Sequence, residues 1–268
     1  MEKKFKIGFV GSGFMASSMI RILIKSAFLT NTDVCVSDVS ESAFDKVSNL
    51  HVATTTDNCY LVNNSEFVVF AVKPQSFSDV AKSLAGNYPE KVISIMAGVN
   101  SKTISNALGG AKVARCMPNT PCSIGNGVVA VDASAFSNED QTFIIRALST
   151  FGTAVSVQED LLNAVTGISG SGPAYVYLFI DAIIQAGIKQ GLSEETARKL
   201  AVGTVKGGAS MMEEYVEKTA TELINAVCSK GGTTIEAVNV FRADGLNELV
   251  DKAVSACVKR AGELSKSC

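Results

Sequence analysis

The N-terminal stretch constrains the fold more than any other part of the chain. Phe5–Val10 is a short apolar run typical of a buried strand, and Gly11–Ala16 (Gly-Ser-Gly-Phe-Met-Ala) follows at once. Apolar residues then recur at helical spacing. In such a strand–turn–helix unit, glycines allow a tight turn and the close approach of a pyrophosphate. The pattern therefore predicts a Rossmann domain whose cofactor-binding residues include Gly11, Ser12, Gly13, Phe14 and Met15.

A second predicted strand, Asp33–Asp38, ends in an acid. In this fold, an acid at the end of the second strand binds the 2′-hydroxyl of an adenosine ribose. Asp38 is either that residue or an ordinary acidic loop residue. No Arg or Lys lies between Val39 and Asp45 to hold a 2′-phosphate, and Lys46 is the nearest base. The residues themselves thus favour NADH over NADPH.

Further strand patterns alternate with helical ones through the first half of the chain. Such alternation predicts an α/β fold with a mostly parallel sheet and helices on both faces. The predicted strands are Glu66–Ala71, Lys91–Met96, Lys112–Met117, Gly127–Asp132 and an edge strand, Thr153–Val157.

Two proline-containing loops follow predicted strands. Each is either a proline-directed turn or part of the cofactor site, because ligands bind beyond the carboxyl ends of parallel strands. In the first loop, Lys73 is a candidate to meet a phosphate or a substrate carboxylate. In the second, Asn119 and Thr120 are candidates to hydrogen-bond the nicotinamide or its ribose. The predicted cofactor-binding residues of the loops are Ala71, Val72, Lys73, Pro74 and Asn119.

The glycine-rich stretch Thr166–Tyr175 separates the two halves of the chain. It is either a hinge or a helix N-terminus whose free N–H groups face a cleft. Beyond it only helical patterns occur, which predicts a Rossmann domain at 1–160 and an all-helical dimerisation and substrate domain at 161–268. The segment Ala174–Ile188 is apolar almost all round, so it must be buried on every side, and we expect a partner subunit to cover it.

A second glycine pair lies in the helical half, at Gly231–Gly232. Thr233 and Glu236 have the spacing of a capping box, with Thr233 at the N-cap. In the simpler interpretation, these residues only cap the start of a helix. The alternative is a cradle for a small carboxylate, built from open backbone N–H groups and the helix dipole.

Composition excludes several classes of function. Apolar content of 47% and a net charge of -2 are typical of a soluble protein without nucleic-acid or membrane partners. Seven cysteines, widely spread and ending with Cys268, predict free thiols, no metal site and a cytoplasmic location. The run Ala174–Ile184 is too short to span a bilayer. The one histidine, His51, is expected to be a structural or surface residue.

Five motifs in order resemble those of the pyrroline-5-carboxylate reductase family. They are Gly11–Ala16, Ala71–Pro74, Met117–Pro121, Gly170–Tyr175 and Ser229–Thr234. The resemblance implies reduction of 1-pyrroline-5-carboxylate to L-proline, the last step of proline biosynthesis, with NADPH or NADH. It also implies intertwined homodimers that can assemble into larger rings such as a decamer.

The resemblance further implies the substrate-binding residues. Thr234 corresponds to the residue that hydrogen-bonds the ring nitrogen of the substrate, which makes it the predicted catalytic residue. The backbone around Ser229, Gly231, Gly232 and Thr233 corresponds to the carboxylate site. Because a protonated imine is already electrophilic, hydride transfer requires correct positioning rather than a metal or a nucleophile.

Two residues depart from the family pattern, and two other functions compete. Lys230 stands where the family usually has Pro, and Phe14 where Asn is frequent. The family often prefers NADPH, against the indication from Asp38. A β-hydroxyacid dehydrogenase would use a catalytic lysine, for which the chain offers Lys189, Lys199 and Lys206. A nucleotide-sensing module would bind the cofactor without turnover.

Overall fold

A computed structural model describes residues 3–266, so Cys268 lies outside the described residues. The chain forms two compact units. The first contains the residues up to Ser171 together with those from Cys257 onward, and the second contains Gly172–Ala256. This division differs from the expected boundary after residue 160, because 161–171 and the end of the last helix pack with the first unit.

The first unit is built on a sheet of eight strands with the order β3-β2-β1-β4-β5-β6-β7-β8. Neighbouring strands are parallel except β6 and β7. The mostly parallel sheet and the edge position of the last strand are thus confirmed. The strands are β1 (Phe5–Val10), β2 (Val34–Ser37), β3 (Ala53–Thr55), β4 (Ser65–Phe70), β5 (Lys91–Ser94), β6 (Lys112–Pro118), β7 (Gly127–Asp132) and β8 (Gly152–Ser156).

Helices cover both faces of this sheet, as the alternating pattern predicts. One face carries α1 and α5, which pack Ile20 and Ile144 against Phe9 and Phe67. The other face carries α2, α3 and α4, which cover Phe70. The helices of this unit are α1 (Phe14–Lys25), α2 (Asn58–Asn64), α3 (Phe77–Ser83), α4 (Ser101–Ala107), α5 (Asn138–Ser149) and α6 (Leu162–Val165).

The stretch after α6 differs from the predicted helix start. Thr166–Gly170 forms a wide π-helical turn, and the N–H of Ser171 donates to the carbonyl of Thr166 at 2.9 Å. The chain is already helical before this point, so the expectation of a new helix N-terminus with free N–H groups here is wrong. The cause is local, since Pro173 cannot continue a regular ladder and a wide turn is one way to interrupt it.

The second unit is helical and buries little within the single chain. Its buried apolar residues are Ile184, Ala197 and Ala201. The helix that begins at Gly172 is not covered within one chain, and its Leu178 is 73% exposed. This exposure is consistent with the expectation that a partner subunit covers it; the partner itself stays a prediction. The helices are α7 (Gly172–Lys189), α8 (Glu194–Glu214), α9 (Ala220–Val227), α10 (Thr233–Ala243) and α11 (Leu246–Lys266), the last of which continues into the first unit.

The helical run Glu159–Lys189 is long and apolar enough, by length and composition, to cross a membrane. This run is longer than the apolar segment that the sequence singled out. The same composition suits a helix covered by another protein chain, so on its own it is weak evidence for a membrane span.

Candidate active site

The glycine-rich turn after β1 has the geometry of a phosphate-binding loop. Gly11 has a φ of +98°, and a Cβ there would lie 3.0 Å from the carbonyl oxygen of Ala71. A Cβ on Gly13 would point into open space. Among the described residues no side chain caps α1, so the N–H groups of Phe14 and Met15 stay open to an anion.

Asp38 follows β2 directly and binds the same turn. Its Oδ2 accepts the backbone N–H of Ser12 at 2.9 Å and the hydroxyl of Ser12 at 3.0 Å. Ser12 is fully buried, and its hydroxyl also donates to the carbonyl of Ala43. Asp38 therefore holds the glycine turn, and the hydrogen bonds of Ser12 remain within the chain.

A cavity of about 260 Å³ lies beside this turn, at the carboxyl ends of β1, β2 and β4. It brings together six of the predicted cofactor residues: Gly11, Gly13, Asp38, Ala71, Val72 and Lys73. Sequence reasoning missed Asn58, which also lines the cavity and whose Oδ1 accepts the hydroxyl of Ser37 at 2.7 Å. Asn58 follows β3, and this strand is too short and too polar for its sequence to predict a strand.

A second cavity, of about 270 Å³, lies at the ends of β5 and β6. Its walls include Pro74, Ala97, Met117 and Thr166. Pro74 directly follows Lys73 of the first cavity, so the two cavities adjoin along the carboxyl edge of the sheet. This edge is where doubly wound sheets bind their ligands.

Asn119 lines neither cavity and uses its side chain within the chain. Its Oδ1 accepts the N–H of Val128 at 2.9 Å, and its Nδ2 donates to the carbonyl of Ser169 at 3.1 Å. The sequence indicated neither partner. Direct binding of the cofactor by this side chain stays a prediction.

The second glycine pair lies between α9 and α10 in the second unit. Gly231 has a φ of +72°, and the N–H of Gly232 donates to the carbonyl of Ser229 at 3.0 Å. A Cβ on Gly232 would collide with the hydroxyl of Ser229. The tight turn therefore requires glycine at both positions.

The predicted capping box at the start of α10 is wrong. Gly232 is the N-cap, because it has an extended backbone while Thr233 is already helical. Glu236 then falls at the fourth helical position, one too far for a capping box. Within the described part of the chain no side chain caps α10, so its first N–H groups are open. Thr234, at the second helical position, is exposed beside them.

Three of the described cysteines lack the features of a nucleophile. Cys35, Cys116 and Cys122 are buried in the first unit. Burial raises the pKa of the Cys35 thiol to about 11 and also raises the pKa of Cys116. These groups therefore stay protonated and unreactive near neutral pH.

Comparison with known proteins decides between the competing families. Residues 159–264 match the family model described as pyrroline-5-carboxylate reductase dimerisation, and residues 6–98 match NADP oxidoreductase coenzyme F420-dependent. A pyrroline-5-carboxylate reductase of Synechocystis is 38% identical, with 97% of this chain and 98% of that protein covered. The chain belongs to the pyrroline-5-carboxylate reductase family. The reductase of Escherichia coli is 35% identical over the full length of both chains.

Solved structures of pyrroline-5-carboxylate reductases have the same fold. The enzyme of Coxiella burnetii matches with a TM-score of 0.91 and 33% identity, covering 98% of this chain and 99% of that one. The enzyme of Plasmodium falciparum, solved with NADP bound, has a TM-score of 0.86 and 26% identity, with 99% and 100% covered.

The lysines that a hydroxyacid dehydrogenase would need line neither of the two cavities described above. Lys189, Lys199 and Lys206 are all exposed. Lys199 forms an ion pair with Glu195 one turn earlier on α8, at 2.6 Å. His51, also exposed, ends a short 3₁₀ turn and is not part of either cavity.

Proposed function

We propose that this chain reduces 1-pyrroline-5-carboxylate to L-proline with NADH or NADPH, the last step of proline biosynthesis. The observation that carries the proposal is a pair of uncapped helix N-termini, each preceded by a glycine turn, at α1 and at α10. One suits a dinucleotide phosphate and the other a small carboxylate. Both occur in a chain related over its full length to reductases of this name.

The residues around α1 fit a dinucleotide. The open side of Gly13 and the free N–H groups of Phe14 and Met15 suit a pyrophosphate, and Lys73 adds a positive charge. Ala71, Val72 and Pro74 form the neighbouring wall. When bound, the cofactor supplies a hydride from C4 of its nicotinamide ring. The chain fixes the position of the ring and excludes water from it.

The residues before and within α10 hold the substrate in this proposal. The turn Ser229–Gly232 and the N–H of Thr233 bind the carboxylate of the imine. The hydroxyl of Thr234 bonds the ring nitrogen and so orients the carbon that accepts the hydride. A dedicated acid–base pair is unnecessary, because the protonated imine is already electrophilic and solvent supplies its proton.

The first cavity favours NADH. Among the described residues that line it, Lys73 alone carries a positive charge, whereas Asp38 would repel a 2′-phosphate. Val39 follows Asp38, is 89% exposed and lines the cavity. An arginine at this position could bind a 2′-phosphate, whereas a valine cannot. The relative from Plasmodium falciparum was solved with NADP bound.

A homodimer formed through the second unit completes the proposal. A dimer interface would bury the exposed apolar face of α7. The family model that matches residues 159–264 is described as a dimerisation domain. Larger rings such as a decamer and a cytoplasmic location follow from the same family and remain part of the proposal.

The two departures from the family pattern fit the proposed sites. Lys230 is exposed in the carboxylate turn, where a cation supports binding of an anionic substrate. Phe14 is exposed at the first position of α1, where the backbone N–H rather than the side chain serves the phosphate.

The direct test follows the loss of NADH or NADPH absorbance with pyrroline-5-carboxylate and identifies the product. Formation of L-proline supports the proposal. Tight cofactor binding without turnover of any cyclic imino acid would indicate a sensor instead, and turnover of hydroxyacids with NAD would indicate a dehydrogenase.

A further inference from the structure

The side chain of Asn119 joins three segments of the first unit. It is 8% exposed and directly follows β6. Its Oδ1 accepts the N–H of Val128, the second residue of β7, and the thiol of Cys122 at 3.5 Å. Its Nδ2 donates to the carbonyl of Ser169, in the wide turn Thr166–Gly170. One amide group therefore links the ends of two strands to this turn.

The Ser169 carbonyl lies where the regular helical ladder is interrupted. In an α-helix it would accept the N–H of residue 173, which is a proline and has none. The bond from Ser171 to Thr166 spans five residues and makes the turn wide. Asn119 thus donates a hydrogen bond to the Ser169 carbonyl, which Pro173 cannot do because it has no N–H. Wide turns of this kind often occur at functional sites.

The wide turn packs along the end of β6 and forms part of the second cavity. A Cβ on Gly170 would lie 3.6 Å from Cγ2 of Thr166 and 4.0 Å from Cγ of Met117. Thr166 and Met117 both line the cavity, together with Ala97 after β5. A shift of the turn would therefore move Thr166 relative to the strand ends.

We infer that Asn119 is a positioning residue that holds this wide turn and so fixes Thr166 in the wall of the second cavity, to which we assign the reacting end of the cofactor. What the cavity receives rests on the proposed function, whereas the role of Asn119 rests on the hydrogen bonds. Oδ1 already accepts the N–H of Val128, and Nδ2 already donates one of its two N–H groups to Ser169. Holding the turn therefore accounts for more of its contacts than binding the cofactor does.

The decisive variant is Asn119→Asp. It keeps an oxygen for the N–H of Val128 but places a second oxygen against the Ser169 carbonyl, where the native amide donates. We expect kcat to fall about tenfold or more, because small misplacements at a reacting centre have effects of this size. The Kd for NADH, measured by titration, should stay within about twofold, because the phosphate loop is untouched.

Hydrogen exchange of the ligand-free protein gives a readout that does not require turnover. The N–H of Ser171, which closes the wide turn, should exchange about tenfold faster or more in the variant than in the wild type. Lowering the pH should restore part of kcat relative to the wild type at the same pH, since a protonated Asp again offers a donor to Ser169.

Asn64→Asp is the matched control. The amide of Asn64 also donates to a backbone carbonyl, that of Tyr60 at 2.8 Å, but it lies at the end of α2, away from both cavities. This variant should keep kcat and the exchange rate of Ser171 within about twofold of the wild type.

Three results would overturn the inference. The first is an exchange rate at Ser171 that Asn119→Asp does not change. The second is a kcat equal to that of the wild type, with only a lower melting temperature. The third is a higher Kd for NADH while the exchange rate at Ser171 stays unchanged. The last would make Asn119 a direct cofactor contact. If Asn119→Asp does not fold, Asn119→Ala removes the donor without adding charge and carries the same expectations for kcat, for the Kd for NADH and for exchange at Ser171. A wild type that does not reduce pyrroline-5-carboxylate would refute the proposed function, while the exchange rate would still decide the role of Asn119.

Discussion

The two units of the chain differ in how they bury their apolar residues. The first buries both faces of its sheet beneath its own helices, with Phe9, Phe67 and Phe70 fully enclosed. The second has helices that are just as apolar, yet Tyr177 and Leu178 of α7 are mostly exposed. The hydrophobic effect acts equally on both, so the second unit needs a cover that the single chain does not provide.

The difference in burial between the units also distinguishes the proposed cofactor site from the proposed substrate site. The cofactor cavities lie in the unit that is complete within one chain. The substrate turn, Ser229–Thr234, lies in the unit that is not. We therefore expect cofactor binding to survive in a monomer, whereas substrate reduction should depend on association of two chains.

The largest effect should come from Leu178→Asp on α7. A charge buried without a partner costs about 3–5 kcal/mol, so the variant should be monomeric at concentrations where the wild type is a dimer. Sedimentation velocity measures this, with reductase activity lost in parallel and NADH binding retained. Val155→Asp is the control, because Val155 is an exposed apolar residue of the first unit, on β8. A dimeric Leu178→Asp enzyme would show that α7 is not the interface.

Removing the Thr234 hydroxyl should have the next largest effect. We expect Thr234→Ala to reduce kcat/KM for pyrroline-5-carboxylate by about 10- to 1,000-fold, the range for loss of one well-placed hydrogen bond in a transition state. The Kd for NADH should not change, because the cofactor site lies in the other unit. Thr234→Ser keeps the hydroxyl and should recover most of the activity. Equal rates for Thr234→Ala and the wild type would remove Thr234 from the mechanism.

The variant Asp140→Asn tests the stability of the first unit, which buries its apolar residues within one chain. Asp140 on α5 accepts from Lys91 at 2.6 Å, within a network that also contains Glu66. Burial acts to raise the pKa of Asp140, but hydrogen bonds with Lys91 and Ser137 outweigh it and lower the pKa below its ordinary value. We expect a loss of about 1–2 kcal/mol in the free energy of unfolding at pH 7, less than for a fully buried pair.

The pH dependence of this effect has a definite sign. Because the pKa of Asp140 is lower in the folded state, its stabilising contribution is present above the unfolded value of about 4. It is lost as the pH falls through the folded value, so the stabilities of Asp140→Asn and the wild type from denaturant titrations should converge as the pH is lowered below about 4. Glu139→Gln, an exposed change on the same helix, is the control. A stability difference that stays constant down to pH 2 would contradict the assignment.

The smallest effect concerns cofactor preference. Asp38→Asn removes the charge but keeps the shape of the side chain that holds the turn at Ser12. We expect the ratio of kcat/KM for NADPH to that for NADH to rise about 5- to 30-fold, as a like-charge repulsion of about 1–2 kcal/mol is relieved. Glu41→Gln neutralises an exposed acid nearby and should leave the ratio unchanged. A ratio unaltered by Asp38→Asn would mean that Asp38 only supports the turn.

The sequence predicts most of the first unit because its signals are local. The strand before Gly11, the helix after Gly13 and the acid after β2 are all encoded by neighbouring residues. The wide turn at Thr166–Gly170 is not, since its partner Asn119 is about fifty residues away in the sequence. The start of α10 was misassigned by one position, because a glycine and a threonine can both precede a helix and sequence fixes helix ends poorly.

The account depends most on direct hydride transfer between a cofactor held by the first unit and an imine held by the second. The most direct measurement uses NADH carrying deuterium in both positions at C4, with pyrroline-5-carboxylate as the acceptor, and mass spectrometry of the product. We predict L-proline with one deuterium at C5. Proline without deuterium, or no proline at all, would contradict the account.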